Sequence, residues 1–133
     1  MILCSGCFDG LHAGHVRYLA AASALRVGDE RLIVAVAPDV YVATVKRRVA
    51  RWPVAERARV LIALRSVDEV VTHSETGAAD QILALKPRLF VKGEEWAGHV
   101  PGDVLDACRD VDARLLFVHT PGRHTADALS ADA

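Results

Sequence analysis

The chain has 133 residues, of which 52% are hydrophobic, 25% charged and only 5% aromatic, and its formal net charge is −1. This length suits one domain with a core built mostly of Ala, Val, Leu and Ile, and the composition excludes a disordered, collagenous or disulfide-built chain. Near-neutrality argues against general nucleic-acid binding, no apolar run approaches the roughly 18 residues of a membrane helix, and the opening MILCSGCFDG lacks the basic start of a signal peptide. Cys4, Cys7 and Cys108 read as reduced thiols in a cytoplasm. Charge is uneven: six basic residues (Lys46, Arg47, Arg48, Arg51, Arg57, Arg59) and one acid, Glu56, lie between positions 46 and 59. Such a run is either a solvated surface or part of an anion site.

In chain order, residues 1–7 predict a buried strand, and the helical spacing of Val16, Leu19, Ala20 and Leu25 predicts a helix from His12 to about Arg26. RLIVAVA (31–37) predicts a second strand, and 38–51 reads as a polar connection with one short apolar stretch, Val40–Val45. Pro53 suits the first turn of a helix running to about Arg65. Val67–Thr72 predicts a third strand, Ala78–Leu85 a helix, Arg88–Lys92 a fourth strand and Pro101–Val111 a helix. Arg114–His119 predicts a fifth strand and Thr125–Ala131 a last short helix. Continuous apolar strands alternating with helices predict an α/β fold, a five-stranded parallel sheet covered on both faces. Ligands of such sheets bind at the carboxyl ends of the strands, near a reversal of strand order. Polar clusters do follow the strands: Cys7–His15, Asp39–Arg48, Gly93–Trp96 and His119–Thr125.

In the first of these, Gly6, Gly10 and Gly14 permit tight turns, and His12 and His15 share the start of a helix, where N–H groups and a partial positive charge suit a phosphate. Asp9 would orient the turn. Two other readings compete. Cys4, Cys7, His12 and His15 could bind zinc, although a strand aims the two cysteines at different faces and the histidine spacing is short. A redox C-x-x-C needs a helix directly after its first cysteine, and a glycine-rich loop follows instead.

The segment Gly6-Cys7-Phe8-Asp9-Gly10-Leu11-His12-Ala13-Gly14-His15 resembles the G-x-F-D-x-x-H-x-G-H motif of the cytidylyltransferase-like nucleotidyltransferase superfamily. Lys46-Arg47 is similar to its basic substrate loop, and Glu56-Arg57 with Leu64–Val71 to its E-x-R … L-R-x-V-D-x-V segment. Lys86–Trp96 is similar to K-P-D-x-x-V-K-G-x-(D/E)-(W/Y), and together these motifs span nearly the whole chain. They point to the small members: glycerol-3-phosphate cytidylyltransferase, its ethanolamine- and choline-phosphate relatives, and the heptose-1-phosphate adenylyltransferase domain.

The resemblance implies the Rossmann-like fold of the HIGH-type nucleotidyltransferases over residues 1–133, as a whole protein or as one domain of a longer chain. It implies that an acceptor phosphate oxygen attacks the α-phosphorus of a nucleoside triphosphate and pyrophosphate leaves. His12, His15 and Lys46 would be catalytic. Cys7, Phe8, Gly14, Gly93, Glu95, Trp96, His119, Thr120, His124 and Thr125 would hold the nucleotide. Asp39, Lys46, Arg57 and Arg65 would serve the acceptor, Arg57 and Arg65 either directly or by steadying the site, with a surface or helix-dipole role as the alternative for these two arginines. No residue is assigned to a metal; Mg²⁺ would come with the triphosphate. Relatives are commonly homodimers, and no nucleic-acid or membrane partner is expected.

Trp96 after an acidic pair leans the reading to CTP, with a small phosphorylated or phosphonylated alcohol as acceptor. ATP with a sugar phosphate is the alternative. The last motif departs from the cytidylyl pattern R-T-x-x-I-S-T-T: His119 replaces its arginine, His124 its serine and Ala126 its last threonine, with Arg123 nearby to supply charge. A catalytically weak nucleotide-binding domain is therefore a third reading.

Overall fold

Each apolar run becomes a strand because alternate residues can be buried on opposite faces of one sheet. In the computed structural model, which describes residues 1–120, the strands are β1 (Ile2–Gly6), β2 (Leu32–Val36), β3 (Glu69–Thr72), β4 (Leu89–Gly93) and β5 (Arg114–Val118). They are all parallel, in the order β3-β2-β1-β4-β5. On one face, Ile2, Cys4, Val34, Val36 and Val91 pack with Tyr18, Leu19 and Ala22 of α1 (Ala13–Ser23) and Leu61 of α3 (Val54–Ile62). On the other, Leu3, Ile33, Ala35 and Phe90 pack with Ile82 of α4 (Ala79–Leu85) and with Val104, Ala107 and Cys108 of α5 (Gly102–Val111). The period of two in β1, with Leu3 on one side and Ile2 and Cys4 on the other, is the signature of a sheet buried on both faces.

The connection 38–51 holds an element that its sequence hid. Asp39–Thr44 forms a six-residue helix, α2, which starts after Pro38 and buries Val42. Its Asp39 stands in the first turn, where the helix dipole favours a carboxylate. The first helix is shorter than expected, α1 ending at Ser23, and Glu94–Trp96 forms a single 3-10 turn after β4. The expected last helix, Thr125–Ala131, lies outside the described residues. Among those residues no helix is long and apolar enough to cross a membrane.

Strand order reverses at the β1/β4 pair, since β2 and β3 lie on one side of β1 and β4 and β5 on the other. At the carboxyl edge the loops after these two strands diverge and leave a crevice. All the elements discussed next converge there.

Candidate active site

The β1–α1 loop is shaped by Phe8 and Asp9. Phe8 has φ 51°, the left-handed region that a bulky side chain rarely adopts. This turn buries the Phe8 ring against His15, with centroids 5.4 Å apart, and against Tyr18 at 6.4 Å. It also points Asp9 inward, 1% exposed. The Asp9 carboxylate accepts from Arg48 Nη1 at 2.7 Å and from the backbone N–H groups of Arg51 and Trp52 at 2.6 and 2.9 Å. Burial pushes its carboxyl up, but the Arg48 hydrogen bond, the two amides and the Arg48 charge outweigh it, and the net direction is down. Asp9 therefore orients more than its own turn. It straps the basic segment 48–52 over the loop.

The two histidines cap α1 through each other. His12 is the N-cap; its Nδ1 accepts from the Gly14 N–H at 3.0 Å, while His15 Nδ1 accepts from the His12 N–H at 3.2 Å. This is a capping box built of imidazoles. It changes the expected phosphate grip, because two backbone donors of the helix start are taken by the rings. A ring nitrogen that accepts carries no proton, so in each neutral ring the N–H sits on Nε2. The rings stack at 3.8 Å between centroids, and His15 is 1% exposed. The result is a pair of fixed Nε2–H donors at the carboxyl edge of β1.

Arg57 lies beneath this loop, and its place sets aside direct contact with the acceptor in favour of the other half of the expectation, steadying the site. Its side chain is 1% exposed. Nε donates to Trp52 O at 2.8 Å, Nη1 to Cys7 O and Ala37 O at 2.8 and 2.7 Å, and Nη2 to Asp39 Oδ1 at 2.7 Å. The guanidinium thus braces the ends of β1 and β2 and the start of α2, and Asp39 reaches the site through it. Arg65 is a second correction: it is exposed and lies between α3 and β3, at the edge of the sheet opposite the site.

A cleft opens on the α4–α5 side of the same edge, lined among others by Cys7, Tyr41, Lys46, His73, Lys92 and Trp96. Lys46 Nζ lies 5.1 Å from the Trp96 ring centroid and Lys92 Nζ 4.5 Å. Lys92 is 6% exposed and donates to Ser5 O at 2.9 Å. Burial takes its ammonium down to about 8, with the Lys46 charge acting the same way. Among the described residues no carboxylate forms an ion pair with either lysine. Two adjacent ammoniums of this kind select an anion. Trp96, expected at the base, lines this cleft with them.

Glu95 folds back on the end of β4: a Cβ built on Gly93 would stand 2.5 Å from its Oε2, so glycine makes room for that carboxylate. His119 pairs with Glu94 at 2.5 Å, and Thr120 is 5% exposed. Gly14 and Cys7 are buried at the loop. His124 and Thr125, with Arg123, lie outside the described residues.

The zinc reading does not fit. Burial pushes the Cys4 thiol up to about 12, deep against Tyr18 in the core, whereas a zinc ligand must be a thiolate. Among the described residues no group of three or more His, Cys, Asp or Glu side chains could hold a metal ion.

Sequence reasoning missed the cleft wall. Lys92 stands in a quoted motif and interrupts the apolar run LFVKG, and His73 directly follows the third strand, the one strand end whose polar residue was passed over. Tyr41 belongs to the unforeseen α2.

A parallel α/β sheet with paired imidazoles on its first loop, beside a cationic cleft at the strand reversal, defines a nucleotide-binding enzyme fold. The model of the family described as Cytidylyltransferase-like matches residues 3–116, and the chain belongs to this family. It is a nucleotidyltransferase. It is similar to the bifunctional protein HldE of Halorhodospira halophila, 47% identical over 107 residues that cover 74% of this chain and 21% of the relative. The HldE of Gluconacetobacter diazotrophicus is 44% identical over 85% of this chain and 23% of the relative. The chain thus spans about a fifth of the length of these curated relatives. A lipopolysaccharide core biosynthesis protein from Thermoplasma volcanium shares the fold, with a TM-score of 0.72 and 22% identity over 92% of this chain and 97% of the other.

Proposed function

We propose that the chain transfers AMP from ATP to a sugar 1-phosphate and releases pyrophosphate. The observation that carries this reading is the likeness to HldE over three quarters of the chain. It agrees with the resemblance to the heptose-1-phosphate adenylyltransferase domain rather than to the cytidylyl enzymes. The lean to CTP rested on Trp96, and Trp96 stands with the lysines of the cleft.

An oxygen of the acceptor phosphate forms a bond to the α-phosphorus, and the bond from that phosphorus to the bridging oxygen of the β-phosphate breaks. No enzyme nucleophile is needed, so the protein's work is positioning and charge stabilisation. His12 and His15 donate from Nε2 to the phosphate oxygens on which charge builds. Lys46 lies between acceptor and triphosphate, and Lys92 holds the acceptor's anionic group from the cleft floor. Asp9 and Arg57 keep the loop, α2 and the basic segment in register. Mg²⁺ would come with the triphosphate and offset its charge, with no residue of the chain assigned to hold it. The reading includes a homodimer and a cytoplasmic setting, which three buried cysteines outside any disulfide suit.

Pyrophosphate release tests it, with ATP and CTP each crossed against heptose 1-phosphate and glycerol 3-phosphate. The expected result is release with ATP and the sugar phosphate, at a kcat/KM on the order of 100-fold above that with CTP. Faster release with CTP and the small alcohol phosphate would return the assignment to cytidylyl transfer. Nucleotide binding without transfer to any acceptor would favour the catalytically weak domain.

A further inference from the structure

His73 follows Thr72 at the carboxyl end of β3, is 6% exposed, and lines the cleft with Tyr41, Lys46 and Lys92. None of the roles above uses it. Its Nδ1 lies 2.7 Å from Ser74 O. A carbonyl oxygen only accepts, so Nδ1 carries the proton and Nε2 keeps a lone pair. The Tyr41 ring meets it edge-on at 4.8 Å, fixing the ring plane. Burial lowers the pKa of His73, with Lys92 and Arg57 pushing the same way against Ser74 O and Asp80, which favours the neutral ring. Among the described residues no donor bonds Nε2. His73 thus lines the cleft beside two cations with a lone pair on Nε2, and such an acceptor can pair with an N–H or O–H of a bound ligand in place of water. A ligand ammonium would have to share the space with two lysine ammoniums, against the Asp103 carboxylate of the lining and the Glu95 charge that already acts on Lys92. A hydroxyl meets no such repulsion.

We propose that His73 is a specificity-determining residue of this cleft, its Nε2 accepting a hydrogen bond from a hydroxyl of the acceptor while Lys46 and Lys92 hold the acceptor's anionic group. The ligand class is a hydroxylated phosphate, as opposed to a bare alkyl phosphate or an aminoalkyl phosphonate. This rests on reading the cleft as the acceptor side of the transfer site.

Calorimetric binding of glucose 1-phosphate and of cyclohexyl phosphate to the full chain tests it, since the two share charge and ring size and differ in their hydroxyls. The wild type is expected to prefer glucose 1-phosphate by about ten-fold, and His73→Phe, which keeps the ring against Tyr41, to bring the two within about two-fold. His73→Gln, whose amide oxygen can accept, keeps most of the preference. No binding of either probe, no preference in the wild type, or a preference that survives in His73→Phe overturns the proposal. So does equal loss in Phe and Gln variants of unchanged circular dichroism, which would mark the role as structural. Because binding is read, an enzyme that fails to transfer AMP counts against the adenylyl-transfer reading alone.

Discussion

His15 joins folding to chemistry in one ring. Its Nδ1 closes the capping box on the His12 N–H, which makes Nε2–H the donor proposed for the phosphates. Replacement by alanine removes both. The lost cap costs about 1 kcal/mol, which leaves the domain folded, whereas loss of a fixed donor to a developing oxyanion costs about 10²–10³ in kcat. Expected, then, is a His15→Ala protein with a slightly lowered Tm and turnover reduced by that factor, checked by calorimetry and steady-state kinetics on one preparation. Turnover within a few-fold of wild type would remove His15 from the catalytic set. The spacing of His12 and His15 was legible because residues three apart share one face at the start of a helix. What it did not reveal was that the rings take up backbone donors assigned to phosphate. That depends on ring orientation, which no spacing encodes.

At the level of elements, the strands were readable because a sheet buried on both faces demands unbroken apolar runs, as in LIVAV of β2. The helix α2 was not, since six residues with one buried side chain, Val42, show no periodicity. Nor could Arg57 be placed from sequence. A helical arginine is usually solvated, and only the meeting of three chain segments makes this one a brace. Arg57→Met would keep the buried stem but leave the carbonyls of Trp52, Cys7 and Ala37 without their donor and Asp39 without its cation. The expected cost is about 2–4 kcal/mol, read as a shift of the urea midpoint at unchanged slope. A shift near zero would mean that the loop re-forms its hydrogen bonds without the guanidinium.

The whole sheet is clamped at the edge away from the site. Glu30 accepts from Arg88 at 2.7 and 2.8 Å and pairs with the Met1 ammonium at 3.3 Å, tying the starts of β1, β2 and β4. The Arg88 hydrogen bond leads the causes that take its carboxyl from 4.5 to about 2, against burial. A depressed folded pKa means stability present above the unfolded value and lost as pH falls through the folded one. The Tm gap between wild type and Glu30→Gln should therefore be full above pH 4.5 and close as pH approaches about 2. A gap independent of pH would show that the clamp does not act through charge. Strand order itself was not legible, because parallel crossovers allow several arrangements of five strands. The fold class and the strand-end location of the site needed only the alternation of elements.

The central claim is that this edge moves a nucleotidyl group onto a phosphate. Its most direct test follows ATP labelled at the α-phosphorus, incubated with Mg²⁺ and heptose 1-phosphate, and separates the labelled products. The label is expected in a nucleoside diphosphate sugar, in equal amount to released pyrophosphate and only when the acceptor is present. Label in free AMP regardless of acceptor would show hydrolysis, and label retained in ADP would show transfer of the terminal phosphate. Either result would contradict the account.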